Sequence, residues 1–245
     1  MSTPTPVVPQ TLSVMEACFK LRPGIEDDFW RAQGRITPIA MDQPGFVSTY
    51  GGPIARSSWL YFSGRFETPE HMDAWYHERS HKPVQRQAHT KWFSTFYIRK
   101  WRLPAEGEPL GDRILDETHL MPPAALEPGQ LDPLLDAVHA SLTECGAAPF
   151  ETLTGEFEPQ PYQLVGPVEE APPEAPVKYL LLTHWTSQRD LDRWLASPCQ
   201  ETLRRHGTVT SETFVPIPEP QGSRPHLRDD GLQRDWVYAE TQGAS

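Results

Sequence analysis

The sequence predicts an α+β chain of two tandem modules, each with an antiparallel sheet and two helices on one face of that sheet. The first observation is an internal repeat, because residues 65–75 and 184–194 align without a gap. The aligned pairs are Phe66 with Trp185, Thr68 with Ser187, Met72 with Leu191, Asp73 with Asp192 and Trp75 with Trp194. Self-similarity at this scale indicates a repeated structural unit and predicts the architecture before any single motif does.

The second observation is the order of elements around each copy of the repeat. An apolar, strand-like run precedes each copy, and a helix-length stretch and a second β-prone run follow it. These runs are 59–62 and 92–98 in the first half, and 179–182 and 208–215 in the second. Upstream, 14–19 aligns with 115–120, and 44–47 aligns more loosely with 148–151. Each half therefore reads strand, helix, strand, strand, helix, strand, which is the split β-α-β order of the ferredoxin-like fold.

The domain boundaries follow from shifts in composition. We place a first domain at residues 11–103 and a second, diverged domain at 112–220, with proline, glycine and acidic residues clustered between them. The second domain carries an insertion at 155–178 that is dense in proline and glutamate, a composition that predicts an extended surface segment rather than core. Residues 221–245 are polar with scattered large apolar side chains, and we expect them to dock as a C-terminal arm.

Charge and composition argue against several partners. The net charge is -11, whereas binding of nucleic acid depends on a surface that neutralises phosphates. The N-terminus has no signal-peptide pattern, and no window approaches the roughly 18 apolar residues that a membrane span needs. The three cysteines, Cys18, Cys145 and Cys199, are odd in number and lack C-x-x-C spacing, as expected for reduced thiols. We therefore expect a soluble, cytoplasmic protein that binds neither nucleic acid nor membrane.

Three motifs of the first half form a recognisable set. They are Phe66-x-Thr68 at a helix start, Trp75 followed by His81-Lys82-Pro83-Val84-Gln85-Arg86, and Trp92-Phe93-x-x-Phe96-Tyr97-Ile98-Arg99 as the closing strand. With this set, residues 12–102 resemble the antibiotic biosynthesis monooxygenase (ABM) family. The second half keeps the Trp194 helix and the strand order, so its membership follows through the internal repeat. The resemblance implies two fused ferredoxin-like domains that form a dimeric-type α/β barrel within one chain, and this chain could in turn pair as a homodimer.

The resemblance also implies an active site in the first half. Family members often place a pocket-lining tryptophan on the second helix, where this chain has Trp75. His81 follows six residues later, near the barrel mouth, and could act as a general base toward a phenolic or enolic substrate. The expected substrate-binding side chains are Tyr50, Gln85, Trp92 and Tyr97. The alternative for Trp75, and the favoured one for Trp194, is a core anchor, because aromatic residues at helical spacing usually pack inside.

The segment His77-Glu78-Arg79-Ser80-His81 fits the H-E-x-x-H pattern of zinc proteases. That chemistry needs both imidazoles on one face of a continuous helix, together with a third ligand. Here Pro83 follows within two residues and would break the helix, and no third ligand stands at the expected spacing. We therefore predict a solvated helix end with basic residues near its negative pole, and no metal at this motif.

Two features argue against a bound haem. Haem-degrading relatives place their axial histidine about three turns after the tryptophan, a position that holds Gln85 in the first half and Arg204 in the second. Neither is a usual haem ligand. The chain also contains no asparagine, whereas family enzymes use a pocket asparagine near the active centre. Candidates for that role are Gln85, Gln87, Thr49 and Ser63. We therefore expect no cofactor.

Two functions from different classes remain open. The first is a cofactor-independent monooxygenase that oxidises an aromatic or quinol-like small molecule in the first-half pocket. Such an enzyme needs only to bury an electron-rich substrate and remove a proton, so that the anion can pass an electron to dioxygen. The second is a non-catalytic barrel that binds a small hydrophobic ligand or acts as a scaffold. The sequence features that discriminate are the pocket tryptophan and histidine, which favour the first, and the missing asparagine, which favours the second.

Overall fold

The computed structural model describes residues 11–149, 161–172 and 177–217, apart from the side chains of His89, Thr95 and Tyr97. The elements of the first half are β1 (Ser13–Leu21), α1 (Glu26–Met41), β2 (Phe46–Pro53), β3 (Leu60–Phe66), α2 (Pro69–Tyr76), α3 (His81–Gln87), a π-helical turn (Ala88–Trp92) and β4 (Phe93–Arg102). Those of the second half are β5 (Ile114–Met121), α4 (Pro128–Cys145), β6 (Gln163–Val165), β7 (Glu169–Ala171), β8 (Tyr179–Trp185), α5 (Gln188–Leu195), α6 (Pro198–His206) and β9 (Thr208–Pro216). The fold is therefore α+β.

The strands form one antiparallel sheet in the order β6-β8-β5-β9-β4-β1-β3-β2-β7. The two halves meet where Trp101 and Arg102 on β4 pair with Pro216 and Val215 on β9. The sheet then curls round, because β7 pairs with β2 and Ile54 forms an isolated bridge to Val165 at the end of β6. Strands of the first half thus face strands of the second across a shared interior.

Alternation along the strands assigns each side chain to one of two layers, as the two-residue period of a strand requires. On β1, Val14 and Cys18 belong to the interior cluster, which also contains residues of β5, β8 and β9. The intervening Met15, Ala17 and Phe19 pack toward the helices α1 to α3. A second cluster under α4, α5 and α6 fills the equivalent layer of the second half. The sheet is therefore covered on both faces, with helices outside.

The aligned hydroxyl residues of the repeat have the same structural role. Thr68 is the N-cap of α2 and accepts a hydrogen bond from the backbone N–H of His71. Ser187 is the N-cap of α5 and accepts one from Asp190. A capping side chain satisfies a backbone donor that has no partner within the helix. The repeat therefore preserves the start of the helix that carries Trp75 or Trp194.

The insertion at 155–178 is not the purely extended surface segment that its composition predicts. Its residues 163–165 and 169–171 form β6 and β7, and Tyr162 and Leu164 pack in the core under α4. The prolines of this described stretch, Pro161, Pro167 and Pro172, stand outside the strands, so β6 and β7 keep their ladder donors. Residues 155–160 and the predicted arm at 221–245 lie outside the described residues.

The structure also shows the state of the cysteines and the character of the described helices. The cysteines Cys18, Cys145 and Cys199 are all free and buried. Among the described residues, no helix combines the length and the apolar character that crossing a bilayer requires.

Candidate active site

An apolar cavity lies between the helix-facing side of β1 to β4 and the helices α1, α2 and α3. Its volume is about 120 Å³, and it opens to solvent. The lining residues are Met15, Ala17, Cys18, Phe19, Phe29, Gln33, Ile36, Thr37, Ala40, Phe46, Thr49, Phe62, Gly64, Phe66, Trp75, Tyr76, His81, Val84, Gln85, Ala88, Phe93, Phe96 and Ile98. A mostly apolar cavity with a few convergent polar groups is the usual form of a small-molecule site.

His81 and Trp75 both line this cavity and lie against each other. Helix α2 ends at Tyr76 and α3 begins at His81, so the chain turns between them and brings the imidazole back over the indole. The two rings are stacked, with centroids 4.2 Å apart and an interplanar angle of 11°. The indole is buried, while the imidazole is half-buried at the cavity wall.

The hydrogen bonds of His81 determine which ring nitrogen can act as a base. Nδ1 lies 3.1 Å from the carbonyl oxygen of Trp75. Because a carbonyl oxygen can only accept, we infer that the Nδ1–H donates and that Nε2 carries the lone pair. Burial lowers the pKa of His81 to about 4, so the ring is neutral at pH 7. A neutral imidazole with an unprotonated Nε2 is the form required of a proton acceptor.

Gln85 reinforces this turn rather than offering its amide group to a ligand. Its Nε2 donates to the carbonyl oxygen of Tyr76 at 2.9 Å and lies 3.2 Å from Nδ1 of His81. The side chain is buried and lines the cavity. Gln85 therefore links the end of α2 to α3.

The cavity exists in the first half because two strand residues there are small. Gly64 on β3 and Ala17 on β1 line it, and the repeat aligns them with Thr183 and Thr118. The register is the same in both halves, since Met15 pairs with Gly64 as Asp116 pairs with Thr183. In the second half, Thr118 donates to the Asp116 carboxylate at 2.9 Å, so hydroxyls and a carboxylate fill this layer. A cavity of only about 10 Å³ lies beside Thr118.

The other predicted substrate-binding residues lie elsewhere. Trp92 is fully buried and donates from Nε1 to Asp28 at 2.9 Å, in the aromatic cluster that adjoins the cavity. Tyr50 faces the interior between the two halves, where the Arg65 guanidinium lies 4.9 Å from its ring. Tyr97 belongs to β4, but its side chain is not among those described. The structure thus brings together Trp75, His81 and Gln85 and places Tyr50 and Trp92 outside the lining.

The H-E-x-x-H pattern does not form one helical face. His77 caps the C-terminus of α2, whereas His81 begins α3. Nδ1 of His77 contacts the carbonyl oxygen of Asp73 at 2.9 Å, and Glu78 accepts hydrogen bonds from the backbone N–H groups of Ser80 and His81. The motif therefore forms the turn between two helices, and its glutamate stabilises that turn.

Sequence reasoning missed Gln33, which lines the cavity from α1. Its amide has no hydrogen-bond partner among the described residues. The candidates proposed for the missing asparagine are placed differently: Thr49 donates its hydroxyl to the carbonyl oxygen of Ser63 at 2.7 Å, and Gln87 is exposed. One signal could have identified Gln33, because it stands in the core-facing stripe between Phe29 and Ile36 at helical spacing.

The lowered pKa of His81 predicts a pH dependence of stability. The pKa is about 4 in the folded chain, against 6.5 for the free side chain. The unfolded chain therefore binds the proton more tightly, so this contribution is fully present above pH 6.5 and is lost as the pH falls toward 4. We expect it to be about 2 kcal/mol after allowance for water in the open cavity. The measurement is the free energy of unfolding in denaturant, for the parent and for His81→Gln, between pH 4 and 7. If the two free energies changed with pH in parallel, His81 would make no such contribution.

Comparisons with known proteins give similarities of fold only. No protein-family model matches the chain, and no curated protein matches it in sequence. Among solved structures, a "putative monooxygenase" from Lactobacillus acidophilus NCFM is similar at 8% identity, with 84% of this chain and 93% of that chain covered and a TM-score of 0.36. An anthrone oxidase-like protein is similar at 11% identity, with 85% and 92% covered and a TM-score of 0.32.

A third similar structure is aldoxime dehydratase OxdRE in complex with butyraldoxime, at 10% identity, with 84% of this chain and 79% of that chain covered and a TM-score of 0.48. Identities this low, with TM-scores below 0.5, assign neither a reaction nor a ligand to this chain.

Proposed function

We propose that the chain is a cofactor-independent monooxygenase that oxidises a small aromatic, phenolic or quinol-like molecule in the first-half cavity. One observation carries the proposal: a neutral imidazole and an indole lie stacked in the wall of an apolar cavity that can bury a ring. A ring bound in such a cavity displaces water from around the reactive anion, and the imidazole can accept the proton whose loss creates that anion. The resemblance of residues 12–102 to the ABM family agrees with this chemistry.

A ring carbon beside a carbonyl, as in the keto form of a phenol, loses a proton to Nε2 of His81. The resulting enolate passes an electron to dioxygen, and the two radicals join in a C–O bond. The peroxide regains the proton from His81 and loses water, so that CH₂ and O₂ become C=O and H₂O. Because an enolate beside the ring favours imidazolium, the pKa of His81 rises from its resting value during the reaction.

The side-chain amide of Gln33 is available to donate a hydrogen bond to the substrate oxygen. An enolate oxygen needs a hydrogen-bond donor in a site without water, and the Gln33 side chain lines the cavity with its amide unused among the described residues. We expect its Nε2–H to donate to this oxygen, which is the role that the absent asparagine leaves open.

The cavity volume selects the size of the substrate. A cavity of about 150 Å³ lined by apolar residues holds a benzene molecule, and this one measures about 120 Å³. One aromatic ring can therefore be buried completely, and a second or third ring would extend toward the mouth. We expect single-ring hydroquinones to be better substrates than tricyclic anthrones.

The test is oxygen consumption under ¹⁸O₂ by the chelator-treated protein with a substituted hydroquinone, a naphthohydroquinone and an anthrone. The expected result is enzyme-dependent uptake, highest with the single ring, and one labelled oxygen atom in the product. Uptake equal to that of heat-denatured protein with all three compounds would contradict the monooxygenase.

Binding without chemistry is the second candidate, and a specific observation favours it. A base with a pKa of about 4 is weak, because general bases work best when their pKa lies near the working pH. Quenching of tryptophan fluorescence by a single-ring phenol, with no oxygen uptake from any of the three compounds, would identify the chain as a binding protein.

Closing the cavity should abolish either function. Gly64→Thr places the residue of the aligned second-half position on the cavity floor, where a Cβ atom lies 3.4 Å from the Phe66 ring. We expect at least tenfold weaker binding of a single-ring phenol with little loss of stability, because threonine suits a strand. Titration calorimetry and thermal melting measure the two effects. Thr183→Gly, the reciprocal change in the second half, is the control and should leave phenol binding unchanged. Undiminished binding to Gly64→Thr would place the ligand elsewhere.

A further inference from the structure

A cluster of possible metal ligands lies on the inner face of the sheet, away from the candidate active site. Glu117 on β5 stands directly opposite Glu212 on β9, and His119 follows two residues after Glu117 on the same face. Like charges directly opposite each other across a ladder are destabilising. This arrangement therefore requires positive charge between the two carboxylates.

The distances within the cluster suit a small cation. Nε2 of His119 lies 3.3 Å from a carboxylate oxygen of Glu212 and 3.5 Å from one of Glu117. One ligand atom from each of the three residues lies within 4.8 Å of the others. Around a tetrahedral zinc ion with bonds of about 2.0–2.2 Å, neighbouring ligand atoms are about 3.3–3.5 Å apart. The two separations from His119 match this spacing, and the two carboxylate oxygens lie within 4.8 Å of each other.

The imidazole of His119 is a second, independent indication of a metal site. The side chain of His119 is 7% exposed, and its Nε2 is buried without a hydrogen bond of acceptable geometry. The nitrogen nevertheless points at both carboxylates. A buried polar atom without a hydrogen bond is costly, whereas a neutral imidazole nitrogen is a common metal ligand.

The surroundings hold the carboxylates in place. Tyr61 donates its hydroxyl to the other oxygen of Glu117 at 3.1 Å, an outer interaction of the kind that orients metal ligands. Arg65 donates to the carboxylates of both Glu117 and Glu212. Each carboxylate oxygen has two lone pairs and can accept from Arg65 while facing a cation. Although burial opposes it, the two carboxylates raise the pKa of His119, so that an imidazolium supplies the second positive charge in the metal-free chain; a bound cation would take the place of that proton.

We propose that His119, Glu117 and Glu212 bind one divalent transition-metal ion of the Zn²⁺ class inside the barrel. An imidazole nitrogen with two carboxylate oxygens is a donor set that zinc accepts, and three protein ligands leave a fourth position for water. Glu212, whose side chain is 30% exposed, provides the route from solvent. The ion would join β5 to β9 opposite the first-half strand that carries Arg65. This proposal does not depend on the proposed function.

The test uses the full chain, stripped with a chelator, dialysed and titrated with Zn²⁺ alone. We expect saturation at one equivalent. X-ray absorption at the zinc edge should show nitrogen and oxygen neighbours at about 2.0–2.1 Å, with a single imidazole. A sulfur neighbour would place the metal on a cysteine, and two imidazoles would place it at His77 and His81. Either result, or no saturable binding, would overturn the proposal.

Matched variants identify the ligands. His119→Gln and Glu212→Gln should each weaken Zn²⁺ binding at least tenfold, as even the loss of an outer-shell partner does. His184→Gln replaces a half-buried histidine of the inner face, and His77→Gln replaces the first histidine of the H-E-x-x-H pattern, so both variants should bind Zn²⁺ like the parent. Equal affinity in all four variants would overturn the proposal. If the ligand variants fail to fold, the absorption spectrum of the parent decides.

Discussion

Replacing Arg65 with methionine is expected to lower the free energy of unfolding by about 3–5 kcal/mol, the usual cost of leaving a buried charge without its partner. Arg65 comes from the first half, and its side chain is 3% exposed. It donates to Glu117 at 2.6 Å and also to Glu212, both in the second half. Without it, two carboxylates would face each other across the β5–β9 ladder with no guanidinium between them. Denaturant unfolding in the presence of a chelator measures the loss.

The chain offers a matched control for this prediction. Arg56 also joins the first half to two acids of the second, Asp132 and Asp136, but its side chain is 41% exposed. Exposed ion pairs contribute about 0–1 kcal/mol, so Arg56→Met should have little effect. Adding Glu117→Gln and Glu212→Gln to Arg65→Met should recover part of the stability, because the unpaired charges are removed. If the single Arg65 and Arg56 variants were equally stable, the interior cluster would contribute nothing to the fold.

Replacing His81 with glutamine is expected to lower kcat for oxidation of a single-ring hydroquinone by about 10²-fold or more, the contribution of a positioned general base. Glutamine is the residue that the repeat places at this position in the second half, Gln200, so the backbone accommodates it. Its amide cannot take up a proton near neutral pH. KM should change little, because the apolar lining that binds the ring is untouched. Steady-state oxygen uptake separates the two parameters.

His77→Gln is the control for His81, since it replaces an exposed imidazole at the end of α2. It should leave kcat unchanged. The pH profile of kcat/KM gives a second readout. In the folded protein without substrate the pKa of His81 is about 4, so kcat/KM should be level above about pH 5 and should fall below it. If the His81→Gln variant lost stability but kept the parent kcat, the role of His81 would be to pack against Trp75 in the cavity wall.

Several features of the fold were predictable because they are encoded within a few residues. The aligned Thr68 and Ser187 cap α2 and α5, as a hydroxyl before an amphipathic helix indicates. The strand-like runs around the repeat appear as β1, β3, β4, β5, β8 and β9. Alternation within β1 separates Val14 and Cys18 from Met15 and Ala17. Period and capping are local properties, so a sequence displays them directly.

The candidate site was predictable only in part. The family resemblance implied that Trp75 and His81 lie at a pocket of the first half, and in the structure both line one cavity. The sequence does not show whether the side chains of Tyr50 and Trp92 line the cavity, because this depends on which face of the strand or turn each side chain occupies. Tyr50 falls on the inner face of the sheet with Arg65, and Trp92 turns toward Asp28. Gln33 was overlooked because a single polar residue on a helix carries no motif.

What the sequence by itself determined is the α+β class and, in the first half, the order of the strands and helices and the start of the helix that carries Trp75. Tertiary structure decided the rest. Whether a cavity forms depends on Gly64 and Ala17, which lie diagonally on the neighbouring strands β3 and β1, where the second half has two threonines. The insertion joins the sheet because β6 pairs with β8 and β7 pairs with β2 of the first half. Glu117, Glu212 and Arg65 come together from three strands far apart in sequence. Contacts of this kind depend on how distant strands are arranged, which local periodicity does not specify.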